Sequence, residues 1–170
     1  MSNSGVGVGT LTLRLGYRIA SQLISMDRRI RSSHGRGVKL IMFGQGDRLL
    51  LVRHTYGGRH WTFPGGGVHT HEEPDMAAAR ELAEELAITA GPLKDLGSHP
   101  VKAHRRTDVV SVFTGCCDSD TVVPRAVEIA RVGWFHEQAL PDSVDPSVHT
   151  ALGLLAGHRA EYAAANHHAT

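Results

Sequence analysis

The stretch "GGVHTHEEPDMAAARELAEELAI", residues 66–88, decides the fold of this chain. Its second half predicts a helix that begins near Pro74, a residue favoured in the first helical turn, and ends before Gly91 and Pro92. The helix carries three carboxylates among alanines and leucines: Glu81, Glu84 and Glu85. So much charge of one sign beside apolar positions needs a physical reason.

On a helix with about 100° between successive residues, apolar and acidic positions separate. The face predicted to dock on a sheet comprises Ala79, Leu82, Ala83 and Leu86. Glu81 and Glu85 are four residues apart, so their charges repel by roughly a few tenths of a kcal/mol, and Arg80 offsets part of this through Glu84. The cluster is typical either of a solvated helix face or of a cation site. Carboxylates without thiolates suit the hard ions Mg²⁺ or Mn²⁺.

The residues upstream favour the cation site. "PGGG" at 64–67 predicts a tight turn whose backbone can approach a metal or a phosphate, and Glu72 adds a carboxylate. Gly66, Glu72 and residues 80–88 resemble the Nudix box, Gly-x5-Glu-x7-Arg-Glu-U-x-Glu-Glu-x-Gly-U with U aliphatic. Only Ala87 departs at a fixed position, standing where the family has glycine. The flanking "LLLVRHTYGGRHWTFPGGGV" and "EIARVGWFHEQALP" are also similar to segments of this family.

The resemblance implies an α/β fold, specifically a Nudix-type α/β/α sandwich around a mixed β-sheet. Strand-like runs in the middle of the chain, with helical patterns on either side, agree with this class. The implied function is a metal-dependent hydrolase that cleaves a pyrophosphate bond in a nucleoside diphosphate or triphosphate derivative, with Mg²⁺ or Mn²⁺ as cofactor. An alternative is a non-catalytic Nudix domain that binds a nucleotide as a sensor or partner module.

Matching positions supply the candidate site residues that the resemblance implies. The candidate metal ligands are Glu72, Glu81, Glu84, Glu85 and the backbone of Gly66, with Glu72 acting through water or from behind the ligands. The candidate catalytic residues are Glu81, Glu85 and, from the later segment, Glu128. From the residues themselves, the candidate phosphate-binding arginines are Arg53, Arg59 and Arg105, each of which also suits an ordinary surface charge.

The loop "VHTH" breaks the family pattern just before the glutamates. The family often has Glu at the position of His69 and Gly at the position of His71, and His enters φ > 0 less easily than Gly, so we expect an altered loop backbone. The two imidazoles suit either a softer metal or ordinary surface positions. Ala87 is expected to change only how the helix ends.

Outside the box, residues 1–13 are Gly-rich and predict a flexible tail, and residues 14–34 predict a basic amphipathic helix. Such a helix packs on its own domain, on a second subunit in a homodimer, or on an anionic membrane surface. Residues 35–170 are predicted to form the Nudix hydrolase domain, closed by a C-terminal helix.

Composition narrows the remaining function classes. A length of 170 residues suits one domain, and a net charge of +1 gives no overall attraction to nucleic acid. The family resemblance implies that the partner is a small-molecule nucleotide substrate. No run approaches the roughly 18 apolar residues of a membrane span. The adjacent Cys116 and Cys117 imply no disulfide framework, and no secretory signal is recognisable. We therefore expect a cytoplasmic protein without integral membrane association.

Overall fold

A computed structural model describes residues 35–55, 60–103, 106–117, 122–124 and 128–167. The tail predicted at residues 1–13 and the basic helix predicted at 14–34 lie outside these ranges. Their roles, and with them the homodimer, stay predictions.

Within these ranges six strands form one mixed sheet. The strands are β1 (Arg36–Phe43), β2 (Leu49–His54), β3 (Trp61–Thr62), β4 (Lys94–Ala103), β5 (Arg106–Cys116) and β6 (Ile129–Phe135). Their order is β3-β2-β1-β5-β4, with β6 paired to β2. β1 and β5 run parallel, and the other paired strands are antiparallel. The mixed sheet confirms the predicted fold class.

Strand β4 has no counterpart among the strands that the sequence predicts. Gly97 lies at φ 100°, and the register between β4 and β5 shifts between Asp95 and Ser98. Pro100 has no backbone N–H to donate, yet it is tolerated because β4 lies at the edge of the sheet and pairs only with β5 in the described part of the chain. These irregularities hide the alternation by which strands are recognised.

Two helices cover the two faces of the sheet. Helix α1 (Pro74–Leu86) packs on the side chains of alternate β1 residues, Val38, Leu40 and Met42. Helix α2 (Pro146–His167) packs on the opposite face, where Ile41 of β1 points. Successive strand residues face opposite sides, so one strand serves both cores. The arrangement is the predicted α/β/α sandwich. Neither helix in the described ranges has the length and apolar character needed to cross a bilayer.

The buried face of α1 differs from the predicted one. Ala83 is exposed and Ala79 only half-buried. The buried residues are Ala77, Ala78, Glu81, Leu82, Glu85 and Leu86. The predicted docking face is therefore wrong: it contained only apolar residues, whereas two of the three glutamates of the cluster are buried. The helix is turned so that they lie against the glycine-rich segment.

Candidate active site at the glycine turn

The glycine turn, residues 64–67, fills a gap between β1 and β2. These strands pair only at Phe43 and Leu49, and farther along β1 the turn takes the place of β2. The backbone N–H of Val38 donates to the Gly66 carbonyl at 2.9 Å, and that of Leu40 donates to the Pro64 carbonyl at 3.0 Å. The turn is thereby fixed by main-chain bonds to a buried strand.

Gly65 and Gly66 are required for different reasons. Gly65 has φ 138°, and a Cβ there would collide with the carbonyl oxygen of Val38. A Cβ on Gly66 would lie 2.5 Å from Oε1 and 2.8 Å from Oε2 of Glu81. The first glycine permits the turn, and the second leaves room for a carboxylate against its backbone.

Helix α1 presents Glu81 and Glu85 to this turn. Among the residues that the structure describes, they are the two buried acidic ones, with 8% and 5% of their surface exposed. Oε2 of Glu85 accepts a hydrogen bond from the Gly65 N–H at 3.3 Å. Burial raises the pKa of Glu85, the charge of Lys39 opposes this, and the charge of Glu81 adds to it. Two carboxyl groups are therefore held together where little water is available to screen their charges.

Arg80 and Glu72 tie the loop before α1 to the helix. Arg80 donates to Glu72 through Nε at 2.8 Å and Nη2 at 3.0 Å, to Glu81 Oε1 through Nη1 at 2.7 Å, and to the Gly67 carbonyl through Nη2 at 2.9 Å. The predicted partner Glu84 is farther away, at 3.5 Å, and its side chain is 38% exposed. Glu72 is thus the main partner of Arg80, and Glu84 lies at the rim.

The two residues that stand where the family has glycine both have a left-handed backbone. His71 has φ 64° and Ala87 has φ 58°. The expectation that His71 alters the loop by avoiding positive φ is therefore wrong, since Glu72 fixes the loop by accepting the His69 N–H at 2.8 Å. At Ala87 the helix ends in a left-handed cap whose N–H donates to the Ala83 carbonyl at 3.2 Å. His71 is exposed and His69 half-buried.

The other predicted site residues differ in how the structure places them. Glu128 accepts the Thr55 N–H through its carbonyl at 2.8 Å, and its charge acts on Glu85, so the structure brings it to the site. The guanidinium of Arg53 lies 5.9 Å from the centre of the Trp61 ring. Arg59 and Arg105 lie outside the described residues.

Three residues near the carboxylates are missing from the sequence-based site: Lys39, His54 and Asp145. Burial lowers the pKa of Lys39, and the charges of Glu85, Asp145 and Glu81 oppose this. Burial lowers the pKa of His54 to about 4, helped by the charge of Lys39. Burial acts to raise the pKa of Asp145, but hydrogen bonds from Ser147 and the charge of Lys39 lower it. For Lys39 the sequence contained a usable signal, a lysine within the otherwise apolar strand "VKLIMF". Lysine is rarely buried without partners, so its presence there indicates nearby polar or acidic groups.

Comparison with known proteins identifies the family to which the chain belongs. The model of the NUDIX domain matches residues 33–152, which include the glycine turn, α1 and Glu128. The chain belongs to the Nudix hydrolase family. An oxidized purine nucleoside triphosphate hydrolase of Danio rerio is 29% identical over 106 residues, covering 61% of this chain and 68% of the relative.

Two further similarities are to a curated relative and to a solved structure. An RNA pyrophosphohydrolase of Cellvibrio japonicus is 39% identical over 51 residues, and the match spans only 30% of the relative's length. The crystal structure of a MutT NUDIX hydrolase from Burkholderia pseudomallei superposes with a TM-score of 0.64 at 24% identity, covering 70% of this chain and 95% of that chain. This structural likeness shows the fold.

The donor set of this Nudix site fits a divalent cation, although the donors are not arranged around a common point. In the described ranges, no three His, Cys, Asp or Glu side chains group as metal ligands. Instead, Glu81 Oε1 accepts from Arg80 and Glu85 Oε2 accepts from Gly65. A metal would compete for these oxygens. Two buried carboxylates, facing a turn whose Gly66 has no side chain in the way, are the oxygen donors that hard cations prefer.

Proposed function

We propose that the protein is a metal-dependent hydrolase that uses Mg²⁺ or Mn²⁺ to cleave a pyrophosphate bond in a nucleoside diphosphate or triphosphate derivative. The observation that carries this proposal is the burial of Glu81 and Glu85 together against the glycine turn. Burial disfavours a carboxylate charge, and a second carboxylate adds to the cost. A divalent cation compensates both effects. Carboxylates on a solvated helix face need no such cation, because water stabilises their charge.

Glu81 and Glu85 would hold the cation, with Glu84 at the rim and a carbonyl of Gly65 or Gly66 adding an oxygen. When bound, the cation neutralises phosphate charge and lowers the pKa of the attacking water. Glu72, engaged by Arg80 and the His69 N–H, would hold Arg80 in position or reach the cation through water.

Proton transfer and phosphate binding fall to other residues of the chain. The proposed acceptors of the proton from the attacking water are Glu81, Glu85 and Glu128. The charge that Glu128 exerts on Glu85 supports its candidacy. The proposed phosphate-binding arginines are Arg53, Arg59 and Arg105. For Arg53, the Trp61 ring beneath the guanidinium supports a fixed orientation.

The proposed substrate class is a nucleoside triphosphate or a nucleoside diphosphate sugar. The names of the relatives support the bond type, since they describe a nucleoside triphosphate hydrolase and pyrophosphohydrolases. A diphosphoinositol polyphosphate phosphohydrolase of Rattus norvegicus, 40% identical over 63 residues, is also named for cleavage of a phosphate chain. The shared chemistry is attack on a phosphoanhydride.

The test is a panel of nucleoside triphosphates and nucleoside diphosphate sugars, assayed with Mg²⁺ and with Mn²⁺. Glu85→Gln should lower kcat by more than the roughly 10- to 100-fold typical of partners behind the metal ligands. Glu73→Gln is the matched control, because Glu73 is exposed and its side chain makes no cap hydrogen bond to α1. Turnover that is unchanged in Glu85→Gln would contradict the mechanism. Tight nucleotide binding without any product would instead support the non-catalytic alternative.

A further inference from the structure

Lys39 is a charged residue on a strand that otherwise supplies both hydrophobic cores. Its neighbours Val38 and Leu40 are fully buried beneath α1, whereas Lys39 lies on the other side of β1, facing the side covered by α2. By its exposed surface the residue is half-buried, unlike its two neighbours.

Neutral oxygen atoms fix the ammonium group of Lys39. Nζ donates to Thr62 Oγ1 at 3.0 Å and to the Phe63 carbonyl at 2.9 Å. Both acceptors immediately precede the glycine turn in the sequence, so the ammonium lies beside the start of the turn. Two of the three ammonium N–H donors are thereby used, and the third has no partner among the residues that the structure describes.

Lys39 is not simply paired with one acidic residue. Among the described residues, no carboxylate forms a salt bridge to its Nζ, although the charges of Glu85, Asp145 and Glu81 all act on it. A lysine serving only as a counter-ion would be expected to donate to one of these carboxylates. Neutral acceptors hold the ammonium of Lys39 in place, and they use only two of its three N–H donors. The group is therefore preorganised to contact an anion.

The surrounding charge gives such a contact a purpose. Glu81, Glu85 and Glu128 interact at this site, and the charge of Asp145 also acts on Lys39. This excess of negative charge opposes the approach of a phosphate chain. A fixed ammonium beside the start of the turn attracts the phosphate chain and orients it.

We propose that Lys39 is a substrate-binding residue whose ammonium contacts a phosphoryl oxygen of the diphosphate beside the glycine turn. The inference rests on the proposed function and adds to it a phosphate contact from β1, held in place by Thr62.

The test compares Lys39→Met with the wild-type protein in binding inorganic pyrophosphate in the presence of Mg²⁺, by isothermal titration calorimetry. Methionine keeps the length of the side chain but removes the charge. The pyrophosphate Kd should rise by about 10- to 100-fold, the usual effect of losing a hydrogen bond between charged groups. Lys102→Met is the matched control, since Lys102 is an exposed lysine of β4, and its Kd should stay within about twofold of wild type.

A second measurement separates a phosphate contact from an effect on the metal. Mn²⁺ alone, titrated into Lys39→Met, should bind as tightly as to wild type or more tightly, because a positive charge has been removed. A pyrophosphate Kd within twofold of wild type, or a loss of Mn²⁺ affinity as large as the loss of pyrophosphate affinity, would overturn the inference.

Thr62→Val tests the same contact by a milder change and can be measured even if Lys39→Met does not fold. Valine has nearly the shape of threonine but cannot accept the Lys39 hydrogen bond, so the pyrophosphate Kd should rise by about 3- to 10-fold. An unchanged Kd in this variant would contradict the anchored ammonium. The proposed function is judged separately by turnover in the wild type and Glu85→Gln. Hydrolysis that depends on Glu85 but is indifferent to Lys39 would therefore refute only the present inference.

Discussion

The guanidinium of Arg80 donates to both carboxylate oxygens of Glu72, eight residues earlier, at 2.8 and 3.0 Å. The hydrogen bonds from Arg80 are the main reason that the pKa of Glu72 falls from 4.5 to about 2. The same guanidinium reaches Glu81 and the Gly67 carbonyl. One side chain therefore joins the loop, the glycine turn and α1, and it fixes the orientation of the buried Glu81 carboxylate.

Replacing Arg80 by Lys should destabilise the protein although the charge is kept. A single ammonium cannot reproduce the paired bonds to Glu72 and also reach the Gly67 carbonyl. The expected loss in the free energy of unfolding is about 1–3 kcal/mol, measured by urea denaturation. The matched control is Arg159→Lys, whose more exposed pair with Glu137 has an N–O distance of 3.3 Å and should contribute less than about 1 kcal/mol. Equal losses in the two variants would show that the Arg80 geometry is energetically unimportant.

His54 should make stability depend on pH below neutrality. Its folded-state pKa is lowered from 6.5 to about 4. Between these values the unfolded chain binds a proton that the folded protein does not, so the stability that depends on neutral His54 is fully present above pH 6.5 and is lost as the pH drops toward 4. At about 1.4 kcal/mol per pKa unit, the loss is on the order of 2–3 kcal/mol.

Urea denaturation of wild type and His54→Gln across this pH range measures the His54 contribution as the difference between the two slopes. Gln at position 54 should flatten the decline, because the titrating group is gone. His149→Gln, at an exposed position of α2, should leave it unchanged. Parallel curves for wild type and His54→Gln would exclude His54 as the source.

Ala87→Gly should stabilise the protein. Ala87 has φ 58° in the left-handed cap of α1, a conformation that costs an L-residue with a Cβ roughly 1–2 kcal/mol and costs glycine little. The greater freedom of glycine in the unfolded chain offsets part of the gain, so we expect about 0.5–1 kcal/mol of added stability. Ala83→Gly, at an exposed position inside the same helix, should have the opposite sign, at about 1 kcal/mol of destabilisation. Thermal unfolding distinguishes the two, and destabilisation by both would contradict the cap assignment.

The sequence was sufficient for the parts of the site that are adjacent along the chain. Gly66, Glu72, Glu81 and Glu85 are related by fixed spacings, and spacing survives folding as proximity within a loop and a helix. It was not sufficient for the inward rotation of α1, because a hydrophobicity pattern places every glutamate outside. Only the packing of the glycine turn beside β1 shows why Glu81 and Glu85 are buried.

Lys39, His54 and Asp145 show the other limit of sequence reasoning. They come from β1, β2 and the residue just before α2, and no local spacing relates them. They meet because β1 and β2 separate beyond Phe43 and Leu49, and the glycine turn occupies the space between them. The same topology brings Glu128 near Glu85. The family resemblance predicted Glu128 as a site residue, whereas the hydrophobic periodicity of the sequence did not indicate it.

The glycine turn allows function and stability to be separated by two adjacent substitutions. Gly65→Ala forces a Cβ into the backbone of Val38 at a positive φ, so it should destabilise the fold by more than about 2 kcal/mol. Gly66→Ala meets only the flexible end of Glu81, which can move aside, so the fold should lose less than about 1 kcal/mol. The displaced carboxylate should nevertheless weaken Mn²⁺ binding and hydrolysis by at least about 10-fold. Gly91→Ala, which has nothing within 4 Å of the added Cβ, should change neither property. If Gly66→Ala binds Mn²⁺ and turns over substrate as wild type does, the Glu81 carboxylate is not held against Gly66 for the metal.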